Sequence, residues 1–248
     1  MTDPCLRIAM WSGPRNMSTT MMRSFGARAD TTCVDEPFYP AYLKLTGLRH
    51  PMSDEIFESQ SADQTEITAN LTCPSESDPP IFYQKHMTHH MVPALKRHWM
   101  RDCKNVFLIR HPARVIASYA RKMESVTLGA IGFPQQLSLF ETATAFEGHP
   151  PLVIDSDDIL RDPEGQLRGL CQGLSIDWDP AMLSWSSGPK PEDGAWAPHW
   201  YDAVWRSTGF GPAPGDLPEI EPEWQTIYDE ALAIYERLSE HKLQAAAG

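Results

Sequence analysis

The chain has 248 residues, 42% of them hydrophobic, enough to bury one full core, and is read as a single domain over residues 1–248. Its 21 Lys and Arg against 33 Asp and Glu give a net charge of −12, which argues against an extended nucleic-acid or anionic-membrane surface and confines any anion site to a local pocket. No apolar run reaches the length of a membrane span, the opening MTDPCLRIAM lacks the basic-then-apolar order of a secretion signal, and the cysteines at 5, 33, 73, 103 and 171 form no CxxC pair; a cytoplasmic protein without disulfides or a zinc site is expected.

In chain order, Leu6, Ile8 and Met10 alternate with Arg7 and Ala9 until Gly13-Pro14 breaks the pattern, as a strand entering a turn does. Ser18 is placed to cap the next segment, where Met21, Met22 and Phe25 recur at helical spacing, and TTCVDEPF then supplies a second strand. The result is a βαβ unit. Residues 46–80 are rich in Ser, Asp, Glu and Pro, with a weak helical signal at Ile56-Phe57, and are read as a surface excursion. IFYQKH (81–86) reads as a short buried strand, VPALKRHWM as a helix and NVFLIR (105–110) as a buried strand. HPARVIASYARKM follows as a helix with Pro112 in its first turn, PLVIDSDDIL as a strand, DPEGQLRGLCQGL as a helix, and residues 221 to 240 as the last helix. Strands alternating with helices predict an α/β fold: a three-layer sandwich with a central parallel sheet, helices on both faces and ligands at the carboxyl ends of the strands.

The turn WSGPRNMSTTMM (11–22) places Arg15, Ser18, Thr19 and Thr20 where a helix opens with free backbone N–H groups, an arrangement suited to phosphate. It lacks the glycine-lysine pair of an ATP-binding loop, and an ordinary helix start with a surface arginine fits equally well. FLIRHPARVIAS then ends a strand in Arg110, turns at His111-Pro112 and places Ser118 eight residues on.

Together these stretches resemble the sulfotransferases that use 3′-phosphoadenosine-5′-phosphosulfate, whose sheet is of the P-loop NTPase type. PRNMST (14–19) is similar to that family's 5′-phosphosulfate loop, P-[KR]-S-G-T-[TS], and RHPARVIAS to its 3′-phosphate motif; VIDSDDILRDPEGQLRGLCQGLSI is similar to a later strand and helix, so the resemblance runs from residue 6 to about 176. It implies that Arg15, Asn16, Met17, Ser18, Thr19 and Thr20 hold the 5′-phosphate and sulfonate, and that Arg110 and Ser118 hold the 3′-phosphate. Residues 185–248 would form a carboxyl-terminal lid and helix, in which GPKPEDGAWAPHW (188–200) resembles the cofactor-covering loop and contributes Lys190 and Gly194.

Two departures from the family pattern carry physical consequences. Arg15 stands where many members have lysine, so it can stabilise the leaving phosphate but not protonate it. Met17 replaces a glycine, which predicts a backbone there that avoids left-handed φ.

The acceptor, a hydroxyl or an amine, needs a base, and no metal is required if cations and N–H dipoles stabilise the departing group. Glu36, read as lying beside the phosphate loop of the first strand, is one candidate; the alternative is that Asp35 and Glu36 only cap the turn at Pro37. His86 is the other, because QKHM resembles the K-T-H-L strand end of family members with a catalytic histidine, and Lys85 would then reach the bridging oxygen of the sulfonate. His86, His89 and His90 lack an acidic or cysteine partner for a metal. The aromatic cluster WAPHWYDAVW (196–205), with Trp185, reads as core or lid packing, with an acceptor pocket as the alternative. The competing functions are a P-loop kinase of a small metabolite and an inactive nucleotide-binding protein of the same fold.

Overall fold

A computed structural model describes residues 5–72, 80–123 and 125–244. Five parallel strands form one sheet in the order β2-β3-β1-β4-β5: β1 (Leu6–Ser12), β2 (Thr31–Asp35), β3 (Ile81–Met87), β4 (Lys104–Ile109) and β5 (Leu152–Asp155). Helix α1 (Ser18–Gly26) follows β1; α2 (Tyr39–Thr46), α3 (Ser53–Ser59) and α4 (Gln64–Thr72) lie between β2 and β3. Helices α5 (Pro112–Ala120) and α6 (Phe133–Glu147) separate β4 from β5, and α7 (Ser156–Arg161) and α8 (Pro163–Leu174) follow. Two single turns, α9 (Ala197–Trp200) and α10 (Asp202–Trp205), precede the last helix, α11 (Gln225–Ser239).

Side chains alternate across the pleat, and the alternation builds two cores. Ile8 and Met10 of β1, Tyr83 of β3 and Val106 and Leu108 of β4 pack with Met21, Met22 and Phe25 of α1 on one face. Ala9 and Trp11, with Phe107 and Ile109, pack with Leu139, Phe140 and Ala143 of α6 on the other. The α/β sandwich expected from the sequence is therefore present. The free side of β5 is covered by the carboxyl-terminal segment, where the Leu243 amide donates to the Val153 carbonyl at 2.8 Å.

Several local expectations are corrected. VPALKRHWM is not a helix: residues 92–97 are turn and coil, and a 3-10 turn over His98–Asp102 buries Trp99 and Met100. The segment PLVIDSDDIL splits after Asp155, whose carboxylate accepts from the Asp157 amide at 2.7 Å and opens α7. Residues 46–80 hold two helices among their described part, α3 and α4, whose Ile56, Ile67 and Leu71 are buried. Helix α6 has no counterpart in the sequence-based expectations, although Phe133, Leu137 and Phe140 recur at helical spacing after a glycine. Cys73, one of the five cysteines, lies outside the described residues.

Candidate active site

The turn after β1 runs between the ends of β3 and β4. Gly13 is needed there because a Cβ would meet the Ile131 carbonyl oxygen at 2.6 Å. Arg15 and Met17 both adopt left-handed backbone, φ 66° and 64°, which overturns the expectation that a methionine at 17 keeps the loop out of that region. Met17, not Ser18, occupies the N-cap of α1, and no side chain caps the helix, so its first amides remain directed at the loop concavity. Asn16 is turned inward: its side-chain amide donates to the Leu108 carbonyl at 3.3 Å, and the Ser156 hydroxyl lies 3.0 Å from its backbone oxygen. The Ser18 hydroxyl lies against the Met87 sulfur, while Thr19 is buried and Thr20 half-buried on the same first turn.

Arg15, Arg110 and Ser118 meet at this rim. The Arg15 Nε donates to the Ser118 hydroxyl at 2.9 Å, and the Arg110 Nη1 donates to the Arg15 carbonyl at 2.6 Å. Burial, then the charge of Arg121, lowers the pKa of Arg15. Burial also lowers that of Arg110, with Arg114 and Arg15 adding repulsion and Asp157 opposing it. Neither guanidinium has a carboxylate partner among the described residues, and the Arg110 Nε is buried with no acceptor. Arg114, by contrast, pairs with Asp157 at 2.7 Å.

A second cluster lies beyond β3, at the end of β2. The Lys85 ammonium donates to Asp35 at 2.8 Å, Glu36 at 2.5 Å and the Tyr201 hydroxyl at 2.6 Å. The Tyr201 hydroxyl donates to the other Asp35 oxygen at 2.7 Å, and the Gly194 amide reaches that oxygen at 3.1 Å. Lys85 is thus fully engaged, which corrects the expectation that it reaches toward a sulfonate. Glu36 has φ 42° and its amide donates to the Lys85 carbonyl at 2.9 Å. Burial raises its carboxyl to about 7 against the pull of Lys85, with Asp35 adding to the rise. The sheet order also corrects the placement of Glu36: β3 intervenes between it and the loop after β1.

His86 is not part of this cluster. Successive residues of β3 point to opposite faces, so Lys85 meets Glu36 while His86 stacks on Trp11 at 4.5 Å and bonds Gln84 at 3.1 Å in the other core. Burial there pushes its pKa down to about 3. His90, missed as a neighbour of Glu36, places Nε2 3.9 Å from that carboxylate and stacks on Tyr39 and Tyr42. The loop after β1 and the Glu36 turn after β2 both follow the carboxyl ends of parallel strands, so the two clusters lie at the same end of the sheet.

Lys190 and Gly194 lie elsewhere than the resemblance implied. Arg23 of α1 pairs with Glu192 at 3.2 Å and Asp193 at 2.7 Å, clasping this segment along α1. The Lys190 ammonium bonds Ser186, and a Cβ at Gly194 would meet the Trp196 ring at 2.2 Å. Neither residue joins Arg15 and Arg110. Trp196 is buried, and its indole N–H lies 3.2 Å from the Tyr201 hydroxyl, so this part of the aromatic run is core. Among the described residues no group of three or more His, Cys, Asp or Glu is arranged to hold a metal ion, and no helix is long and apolar enough to cross a membrane.

A family model described as a sulfotransferase domain matches residues 6–241. Two Arabidopsis thaliana proteins, branched-chain-amino-acid aminotransferase-like proteins 1 and 2, are 36% and 34% identical over 94% of this chain; the chain spans only about two-fifths of their length (42% and 41%). The sulfotransferase domain of the Synechococcus PCC 7002 olefin synthase shares the fold, with a TM-score of 0.55, 18% identity and 96% of each chain covered. A sulfotransferase from Alicyclobacillus acidocaldarius does so with a TM-score of 0.53 and 12% identity, covering 96% of this chain and 97% of that one.

Proposed function

Because the chain belongs to the sulfotransferase domain family, we propose that it moves a sulfonate from 3′-phosphoadenosine-5′-phosphosulfate to a hydroxyl or amine of an acceptor. The observation that carries this reading is the meeting of Arg15, Arg110 and Ser118, two cations without a carboxylate partner, at a helix start without a side-chain cap. Arg15 and the first amides of α1 receive the 5′-phosphate end, aided by Ser18, Thr19 and Thr20; Arg110 and Ser118 receive the 3′-phosphate. Asn16 and Met17 shape the loop rather than reach the ligand with their side chains. Glu36 takes the acceptor proton as the acceptor atom bonds to sulfur, the bond from sulfur to the bridging oxygen breaks, and its electron pair leaves with the bisphosphate. The guanidinium groups stabilise that developing charge, so no metal enters the reading. The four described cysteines are free thiols, which fits a reducing cytoplasm.

Thermal unfolding tests the reading. Millimolar 3′-phosphoadenosine-5′-phosphate should raise the midpoint by several degrees, as a ligand at 100 times its Kd adds about 2.7 kcal/mol. ATP with magnesium should add little. A rise with ATP alone favours the small-metabolite kinase, and the bisphosphate bound without any release of sulfate or transfer product favours the inactive nucleotide-binding protein.

A further inference from the structure

Glu36 is the most exposed member of its cluster, at 8%, against 1% for Asp35, 1% for Lys85 and 5% for Tyr201. Its two carboxylate oxygens differ. Oε1 is fixed by Lys85 at 2.5 Å, whereas Oε2 lies 3.9 Å from the His90 Nε2, beyond hydrogen-bond range. One oxygen is thus an anchor and the other is left to take a proton.

The anchor is itself held. An ammonium has three donors, and Lys85 points them at Asp35, Glu36 and Tyr201. Asp35 receives Lys85 on one oxygen and both Tyr201 and the Gly194 amide on the other, while Tyr201 is fixed further by Trp196. With Glu36 taken as the base, as proposed above, we infer that Asp35 and Tyr201 are positioning residues that set the orientation and charge of Glu36 through the ammonium all three share. The residues lie on three separate stretches: Asp35 and Glu36 at the end of β2, Lys85 on β3 and Tyr201 between α9 and α10. The segment from Gly194 to Tyr201 therefore completes the basic group rather than the nucleotide pocket assigned to it by resemblance.

The groups facing Glu36 are Asp35, Lys85, His90, Tyr39 of α2 and Tyr201. Two of them act in opposite senses. The Asp35 charge disfavours ionisation of Glu36, and the Tyr201 hydroxyl favours it, because its proton is held on Asp35 and withdraws part of that charge.

The test is a carbon-13 NMR titration of the Glu36 carboxyl, assigned by its absence in Glu36→Gln and followed in the wild type, Asp35→Asn and Tyr201→Phe. Asp35→Asn should move the midpoint down and Tyr201→Phe should move it up, each by on the order of one pH unit. Midpoints that stay put while both variants melt at lower temperature would reduce the cluster to a structural clasp. Movement in the same direction would overturn the shared-ammonium coupling. If Asp35→Asn does not fold, Tyr201→Phe decides alone, since it removes one hydroxyl and must still raise the midpoint. The titration needs no turnover, so its outcome is separate from the nucleotide experiment: binding of the bisphosphate with no displacement sinks only this inference, and opposed displacements without bisphosphate binding sink only the sulfotransferase reading.

Discussion

The rim holding Arg15 and Arg110 and the cluster holding Lys85 lie at the same end of one sheet, yet they treat positive charge in opposite ways. At the rim, two guanidinium groups donate to a hydroxyl and a carbonyl, and no carboxylate among the described residues neutralises either. Beyond β3, a single ammonium is saturated by two carboxylates and a phenol. Burial penalises both kinds of cation. The difference underlies the proposed roles: the under-partnered arginines near an uncapped helix start are the receptor for an outside anion in that proposal, and the saturated lysine is an internal counter-ion.

The largest effect expected from breaking this contrast is on proton removal. Glu36→Gln should slow release of the bisphosphate from the donor, with water as acceptor, by about 10²- to 10⁴-fold. Because the folded Glu36 carboxyl lies at about 7, above its ordinary value of 4.5, the rate should climb as pH rises through about 7. The same shift has an opposite sign for stability: the neutral carboxyl favours the folded state, so this group's contribution is present below 4.5 and is lost as pH rises through about 7. His86→Asn should leave the rate profile in place, and a lost limb in that variant would restore the histidine as base.

Next in size, Lys85→Met strands two buried carboxylates and should cost about 3–5 kcal/mol in urea unfolding, with Lys85→Arg recovering part of it. A loss below about 1 kcal/mol would mean the ammonium is not their counter-ion. Arg110→Ala should weaken bisphosphate binding by about 1.5–3 kcal/mol, read by calorimetry, while barely altering the unliganded melting midpoint. If affinity is unchanged, the rim is not the 3′-phosphate site. The smallest effect belongs to the loop backbone. Met17→Gly relieves a left-handed φ of 64° and should stabilise the unliganded protein by up to about 1 kcal/mol in urea unfolding; destabilisation would show that the methionine side chain contributes more than its backbone strain costs.

Much of the frame is legible locally. Alternation in β1 and the apolar run of β4 identify strands, and Gly13-Pro14 and His111-Pro112 mark their ends. The arginine-serine pair at 110 and 118 is legible as well, because both lie in one strand-turn-helix unit. What escapes a local reading is long-range. Strand neighbours are set by crossovers, so the insertion of β3 between β1 and β2 leaves no local trace. His86 and Lys85 are adjacent in sequence, and only the pleat, one residue of register, decides which faces Glu36. Tyr201 joins Lys85 across 116 residues, where no spacing rule applies. VPALKRHWM reads as a helix because the apolar residues that plug the core through a 3-10 turn, Trp99 and Met100 among them, are as closely spaced as those of a short amphipathic helix.

The span of the lysine cluster also bears on how the molecule is assembled. Asp35 and Tyr201 stand 166 positions apart, and their contact depends on a segment translated long after β2 and β3. Closing so large a loop carries an entropic cost, and contacts of this separation form late in folding. Until then Asp35, Glu36 and Lys85 remain hydrated at an unfinished sheet edge, so the cluster to which the base is assigned in our proposal is completed only in the closing stage of folding.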